Sequence, residues 1–340
     1  MCRKIFFALM LAAFSANTLE AQCLGSCCST SASTCMSACG ADASKGEWII
    51  SSSYSVMQYK PFTDEQLIQW STLENPTFTV HSQQSLSLSL QYNITDRVKV
   101  SAAMPYDFSF DNREGHTHSD TYTEIHNYGD VDGWGDATFI ASYDWIEPTM
   151  DGWRISTGLG IKAPTGQTQV VSSNGVVVDP HLQPGTGSWD PVATVRVKKP
   201  WKQWTFAGDA YGKIATTAND HNMGDYVSGT ITSSWRWWQN SDKLFSSLSF
   251  FGAVQSDFNT KMTMPMDHNH TGMSDTTSEV MITTFDNSGF TRIFVSGGTF
   301  ISLGKHVAIP ISISVPVLQH LNGYQVKMQW KSTVGLQVNI

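Results

Sequence analysis

The sequence predicts an all-β protein, a twelve-stranded up-and-down antiparallel transmembrane β-barrel. Three observations predict it. Apolar and polar residues alternate over unusually long segments, short connections alternate with long ones, and tryptophans gather at the short-turn end. A soluble strand typically runs about 5–6 residues. A strand of an outer-membrane barrel is longer, with one face toward lipid and the other toward a lumen.

The chain opens "MCRKIFFALMLAAFSANTLEAQC". Arg3 and Lys4 form a basic start, and Ile5–Phe14 is an apolar run too short to span a bilayer. Residues 1–21 read as a signal peptide cleaved after Ala21, with lipid attachment at Cys23 as the alternative. Residues 22–46 read as a Cys-rich periplasmic segment, "CLGSCCSTSASTCMSACG" at its core. It holds Cys23, Cys27, Cys28, Cys35 and Cys39, and the rest of the mature chain has no cysteine. In an oxidising compartment these read first as disulfides with one thiol left over, and second as soft-metal ligands.

The barrel then occupies residues 47–340. Its strands are expected at Trp48–Tyr59, Ser85–Ile94, Arg97–Phe108, Ala137–Trp145, Trp153–Lys162 and Val192–Pro200. Six more follow at Trp204–Ile214, Ser228–Trp238, Lys243–Val254, Thr291–Ile301, Val307–Leu318 and Tyr324–Ile340. The last is the clearest. Tyr324, Val326, Met328, Trp330, Val334, Leu336, Val338 and Ile340 take one face, and Gln325, Lys327, Gln329, Lys331, Thr333, Gln337 and Asn339 the other. Ile340 stands where many such barrels end in an aromatic residue. Short turns include Thr95-Asp96, Asn240–Asp242 and Gly304-Lys305, whereas Lys60–Gln83, Asp111–Gly133, Pro164–Gly187 and Asp257–Ser288 are long connections. Short periplasmic turns and long outer loops are the rule for these barrels. Trp48, Trp145, Trp153, Trp201, Trp204, Trp235, Trp237 and Trp238 all lie at the short-turn end, as an interfacial girdle requires. Closure follows from bilayer physics, because an open sheet edge in hydrocarbon leaves backbone groups unpaired.

By the alternation, Lys99, Asp136, Asp144, Arg154, Lys162, Arg196, Lys198, Asp209, Lys213, Arg236, Lys327 and Lys331 line the lumen. Charges of both signs there make a water-filled pore or a salt-bridged plug. Twelve strands enclose a narrow lumen, wider than that of an eight-stranded barrel and narrower than that of a general porin. Nine of the ten histidines, all but His306, fall in the connections read as extracellular. His116, His118 and His126 share one of them, and "KMTMPMDHNHTGM" brings Met262, Met264, Met266, His268, His270 and Met273 together in another. Thioethers and imidazoles suit copper or another soft metal ion, so the outer loops are candidate metal sites.

Four stretches resemble a family of bacterial outer-membrane transporters named for the MetA pathway of phenol degradation. They are "GWGD" (Gly133–Asp136), "KAPTG" (Lys162–Gly166), "QPGTGSWD" (Gln183–Asp190) and "VPVLQHLNG" (Val315–Gly323), in the family's order. The functional-amyloid secretor barrel is similar to this group. The resemblance implies passage of a small solute, such as a hydrophobic or aromatic compound, across the outer membrane of a Gram-negative bacterium. Physically, the glycines and prolines sit where strands enter loops and let backbones approach closely.

The expected function is therefore an outer-membrane channel for a small solute whose outer loops can bind copper. A non-conducting metal-binding, structural or adhesive barrel is the alternative. Expected partners are outer-membrane lipid, the barrel assembly machinery and the solute, with a homo-oligomer left open. Few charges (15%) and a net charge of −8 argue against nucleic acid. No local signature selects a catalytic nucleophile from the many outer His and Asp residues, so the chain does not read as an enzyme.

Overall fold

The fold is known from a computed structural model that describes residues 44–72, 75–119, 122–146, 152–240, 243–266 and 281–340. Twelve wall positions close into one antiparallel barrel. They are β1 (Trp48–Lys60), β3 (Ser82–Asn93), β4 (Val98–Ser119), β6 (Ala137–Asp144), β7 (Arg154–Ala163), β8 (Asp190–Trp201), β9 (Trp204–Lys213), β10 (Tyr226–Gln239), β11 (Phe245–Asn259), β14 (Phe290–Leu303), β15 (Val307–Leu321) and β16 (Lys327–Asn339). Each pairs with the next, and β16 pairs with β1 from Ile49↔Asn339 to Lys60↔Lys327. All twelve expected strands are present at these places.

The walls are inverted relative to a soluble protein. Inward residues of β1 and β3 are small and polar, with Ser53, Ser55, Ser85 and Asn93 buried. Outward residues are large and apolar, and Leu159 and Ile231 are each 74% exposed. Burying serines while exposing isoleucines is favourable only where hydrocarbon replaces water outside. Aromatic pairs edge the band on the short-turn side: Trp48–Tyr92, Tyr143–Trp145 and Trp238–Phe245, with ring centroids 4.5, 5.1 and 5.1 Å apart. On the long-loop side Tyr106 meets Trp134 edge-on at 5.0 Å. These rings mark the two membrane interfaces.

Several expected loops carry structure of their own. Asp111–Gly133 is a hairpin, formed where β4 continues past the barrel and pairs with β5 (Tyr122–Trp134). Beside β6 the ladder switches from β5 at Gly135, whose N–H donates to the Pro105 carbonyl at 2.9 Å. The Lys60–Gln83 connection holds the helix α1 (Asp64–Trp70) and the strand β2 (Thr77–Thr79), which pairs with the outer part of β4. A capping box starts α1: the Gln66 N–H donates to Thr63 Oγ1 at 3.3 Å, and the Thr63 N–H to Gln66 Oε1 at 3.0 Å. The helix lies so close to β4 that a Cβ on Gly115 would sit 2.6 Å from the Leu67 carbonyl oxygen. The Asp257–Ser288 connection holds a second hairpin, β12 (Thr263–Met266) with β13 (Met281–Thr284).

The C-terminal strand needs one correction. A bulge in the β1–β16 register falls beside Gln329, so the alternation changes phase there. Val326 and Met328, read from the sequence as lipid-facing, are buried inside. Lys327, read as lining the lumen, stands exposed at the outer rim opposite Lys60.

Candidate functional site: the lumen and its outer cap

Three of the four singled-out motifs converge on one buried ion cluster. Asp136 ends "GWGD", Lys162 begins "KAPTG" and Asp190 ends "QPGTGSWD". Lys162 Nζ lies 2.5 Å from Asp136 Oδ2 and 3.0 Å from Asp190 Oδ2, and Lys213 Nζ lies 3.8 Å from Asp190 Oδ2. Asp136 also accepts from the backbone N–H of Gly166 and of Thr186, each at 2.9 Å. Gly166 and Gly185 meet back to back, and a Cβ on Gly166 would fall 2.6 Å from the Gly185 Cα. The motifs thus tie the 164–187 connection to the outer ends of β6, β7 and β8. The fourth motif does the same across the barrel. Gln319 exchanges two hydrogen bonds with the Met328 backbone at 2.8 and 2.9 Å, and the Asn322 side chain donates to the Ser288 carbonyl at 2.9 Å.

Below the cluster the lumen has two unlike walls. On the wall from β4 through β6 to β9 lie ion pairs: Lys99 with Asp144 at 2.6 Å and Arg196 with Asp209 at 2.8 Å. Arg154 and Lys198 are direct cross-strand partners, one residue pair removed from Arg196 on the same face. The facing wall of β1, β3, β15 and β16 carries hydroxyls, with Ser55 to Thr333 at 2.9 Å and, between β14 and β15, Ser296 to Ser314 at 2.7 Å. Asp257, Arg292 and Lys331 are buried nearer the outer end, Arg292 opposite Asp257 and 3.9 Å over the Phe290 ring. Arg236 sits at the short-turn rim, its guanidinium donating to Gln239 Oε1 at 2.6 Å. Among the described wall residues of inward phase, Lys99, Arg154, Lys162, Arg196, Lys198, Lys213, Arg236, Arg292 and Lys331 outnumber Asp107, Asp136, Asp144, Asp190, Asp209 and Asp257.

At the outer end Met57, Tyr59, Val80, Phe294, Val326 and Met328 form a buried apolar cluster on the β14–β1 side, with Phe62 packed against it. Trp70 of α1 stacks on Tyr324 above it, centroids 4.8 Å apart. At the short-turn end a cavity of about 260 Å³ opens among Gln239, Ser247, Ser302, His306, Gln337 and Asn339.

The β4–β5 hairpin and the 164–187 connection form a cap above the membrane. Its centre is a buried titratable group that sequence reasoning missed. The Tyr128 hydroxyl donates to Glu114 Oε2 at 2.6 Å, and His116 Nδ1 lies 3.5 Å from Glu114 Oε1. Burial pushes the Glu114 carboxyl up, but the hydrogen bond with His116 and the Tyr128 hydroxyl outweigh it and hold it below its ordinary range. That bond raises His116. Burial and the Glu114 charge push Asp179 up to about 7, and the Tyr128 hydroxyl is raised by burial and by the same charge. His181 packs edge-on against Phe78 at 4.1 Å, and burial lowers it to about 4. Neither of its ring nitrogens has a hydrogen-bond partner.

Only some of the candidate metal ligands lie among the described residues. Met262 is buried against Phe78, Met223 and Phe285, and Met264 packs on that cluster. Met262 is therefore core, contrary to its reading as a free ligand. His126 Nε2 lies 2.8 Å from Glu124 Oε1, and its ring centroid is 5.6 Å from that of His116. His118 lies in β4 and Met266 in β12, with their side chains outside the described residues; so are His268, His270, Met273, Cys23, Cys27, Cys28, Cys35 and Cys39. Among the described residues no three His, Cys, Asp or Glu side chains are placed to hold a metal ion.

No protein-family model and no curated protein matches the chain in sequence. Its fold is similar to that of the COG4313 outer membrane channel from Pseudomonas putida F1, at 13% identity and a TM-score of 0.52, over 88% of this chain and 97% of that one. The NanC porin matches at 8% identity over 86% and 98% with a TM-score of 0.40. The TodX deltaS2S3 mutant monoaromatic hydrocarbon channel matches at 11% over 87% and 90% with 0.39. Closed, lipid-facing outside and polar within, the chain has the fold of an outer-membrane β-barrel.

Proposed function

We propose that the chain is an outer-membrane channel that passes a small solute. One observation carries the reading: a closed barrel places polar and charged side chains along much of its interior, with ion pairs on one wall and hydroxyls on the other. The ion pairs Lys99–Asp144, Lys162–Asp190 and Arg196–Asp209 each join neighbouring strands. The apolar cluster at the outer end suits a solute with a small hydrophobic or aromatic body. The convergence of "GWGD", "KAPTG" and "QPGTGSWD" around Lys162 supports kinship with the phenol-degradation-pathway transporters, since it gives those residues one shared structural task.

The outer loops remain candidates for soft metal, such as copper. In support, the His116 and His126 rings are neighbours, and Met264 shortly precedes His268, His270 and Met273 in the sequence. Both parts are tested by single-channel conductance of the refolded barrel in a planar bilayer, with copper then added on the loop side. Steady conductance that copper blocks or shifts supports both. Conductance indifferent to copper removes the metal role. No conductance replaces the channel reading with that of a structural, adhesive or solely metal-binding barrel.

A further inference from the structure

We infer that the outer loops form a gate, shut in this structure, across the mouth of the lumen; this rests on the channel reading above. The gate is a node of packed side chains, Phe78, Met223, Met262 and Phe285, all buried. The His181 ring lies against two of them, 4.1 Å from Phe78 and 6.3 Å from Phe285 between centroids. Their places in the wall decide what the node does. Phe78 lies in β2, which is part of the connection between β1 and β3 and is held against β4. His181 belongs to the β7–β8 connection, Met223 to the β9–β10 connection, and Met262 and Phe285 to the β11–β14 connection. In the order of the wall strands, the β9–β10 connection stands half a turn from that between β1 and β3. The widest gap between neighbouring anchors, from β14 round to β4, is less than half the circumference. The anchors therefore encircle the barrel axis, and side chains that meet from them meet across the mouth.

Hydrogen bonds draw the anchors together. Asn222 and Thr263 exchange backbone bonds at 2.8 and 3.0 Å, joining the β9–β10 connection to the β11–β14 connection. Asn287 spans the widest gap. Its side chain donates to the Pro76 carbonyl and accepts from the Tyr324 N–H, each at 2.9 Å. Beside it the Asp286 N–H donates to Asn75 Oδ1 at 2.7 Å. Apolar side chains held above the membrane leave water only by packing on one another, and that burial favours the shut state. Phe78 and Phe285 meet edge-to-face at 5.8 Å across the seam. The far side of the seam is methionine, with Met264 packed on Met223 and Met262. Thioether chains re-pack readily around irregular partners, so an apolar body can take the place of the Phe78 ring as it passes. Each side keeps its own ladder, β2 on β4 and β12 on β13, and parting the node leaves the wall intact.

The test is single-channel recording of the refolded full chain in planar bilayers in potassium chloride, beside Phe78→Ala/Phe285→Ala and Asn287→Ala. The parent chain should be shut for most of the record and open in brief events. The double variant should raise the open-to-shut ratio by about tenfold or more and leave the amplitude of the fully open level unchanged. Asn287→Ala keeps the rings and loosens the clasp; it should move the ratio the same way, and it serves where the double variant does not refold. A parent chain that stays open, or an open fraction that neither variant moves, overturns the gate and leaves the channel. A larger open level at an unmoved open fraction makes the node a fixed constriction and also overturns the gate. Silence from parent and variants alike overturns the channel reading itself and the gate with it.

Discussion

Lys162 shows how the outer end of the wall is held. Its ammonium is nearly removed from solvent and answers two buried carboxylates, Asp136 and Asp190. Such a cluster contributes little net stability, because desolvation offsets most of the attraction, but breaking it is costly. Lys162→Met leaves Asp136 without its ion-pair partner and Asp190 with Lys213 alone. The expected loss is about 3–5 kcal/mol, read from urea unfolding of the refolded barrel in micelles. A loss below about 1 kcal/mol would mean that water already enters the cluster. His181 makes the opposite point about charge. Its folded pKa of about 4 lies below its ordinary 6.5. Above 6.5 it is neutral folded or unfolded; as pH falls through 6.5 toward 4 only the unfolded cap gains the proton, so stability is lost. Asp179, raised from 3.8 to about 7, works the other way and adds stability over much of the same fall. His181→Phe, between Phe78 and Phe285, keeps the second effect and removes the first. Its stabilisation of the cap should therefore be larger near pH 5 than near pH 7.5, measured by amide exchange over residues 176–185. An equal gain at both pH values would show that His181 does not titrate with the cap.

At the level of elements, the wall was readable and the cap was not. A strand with one face in lipid must alternate, so serines at 85, 87 and 89 against leucines at 86, 88 and 90 announce β3 without any tertiary information. A bulge has no such signal. The extra residue at Gln329 is polar, as its neighbours of that phase are, and only the paired strand reveals the shift that buries Met328. The β4–β5 hairpin escaped for another reason. Its outer part is polar on both faces, since it stands in water and packs on polar loops, so period-2 contrast fades there. The motif glycines were legible as sites of close approach. That Gly166 and Gly185 approach each other was not, because 18 intervening residues fold back between them.

The whole molecule has a dry side and a wet side exchanged relative to a soluble barrel, and that exchange is directly measurable. Ile231 lies on the outer surface, between Gly208 and Val254. Were the barrel in water, Ile231→Arg would change stability by no more than about 0.5 kcal/mol. In a bilayer it should cost about 2–4 kcal/mol, measured by refolding into phospholipid vesicles. A neutral result would remove the membrane assignment. The seam that closes the wall has a consequence for the order of events. Trp48 and Ile340 exchange backbone hydrogen bonds at 2.8 and 2.9 Å, so the first wall strand of the chain completes its ladder with the last. Until those two strands meet, both rims of the incomplete sheet carry open rows of donors and acceptors that hydrocarbon cannot satisfy. No subset of hairpins is then a stable resident of the bilayer. An inserting barrel therefore needs both edges paired or shielded from hydrocarbon until the β1–β16 seam closes.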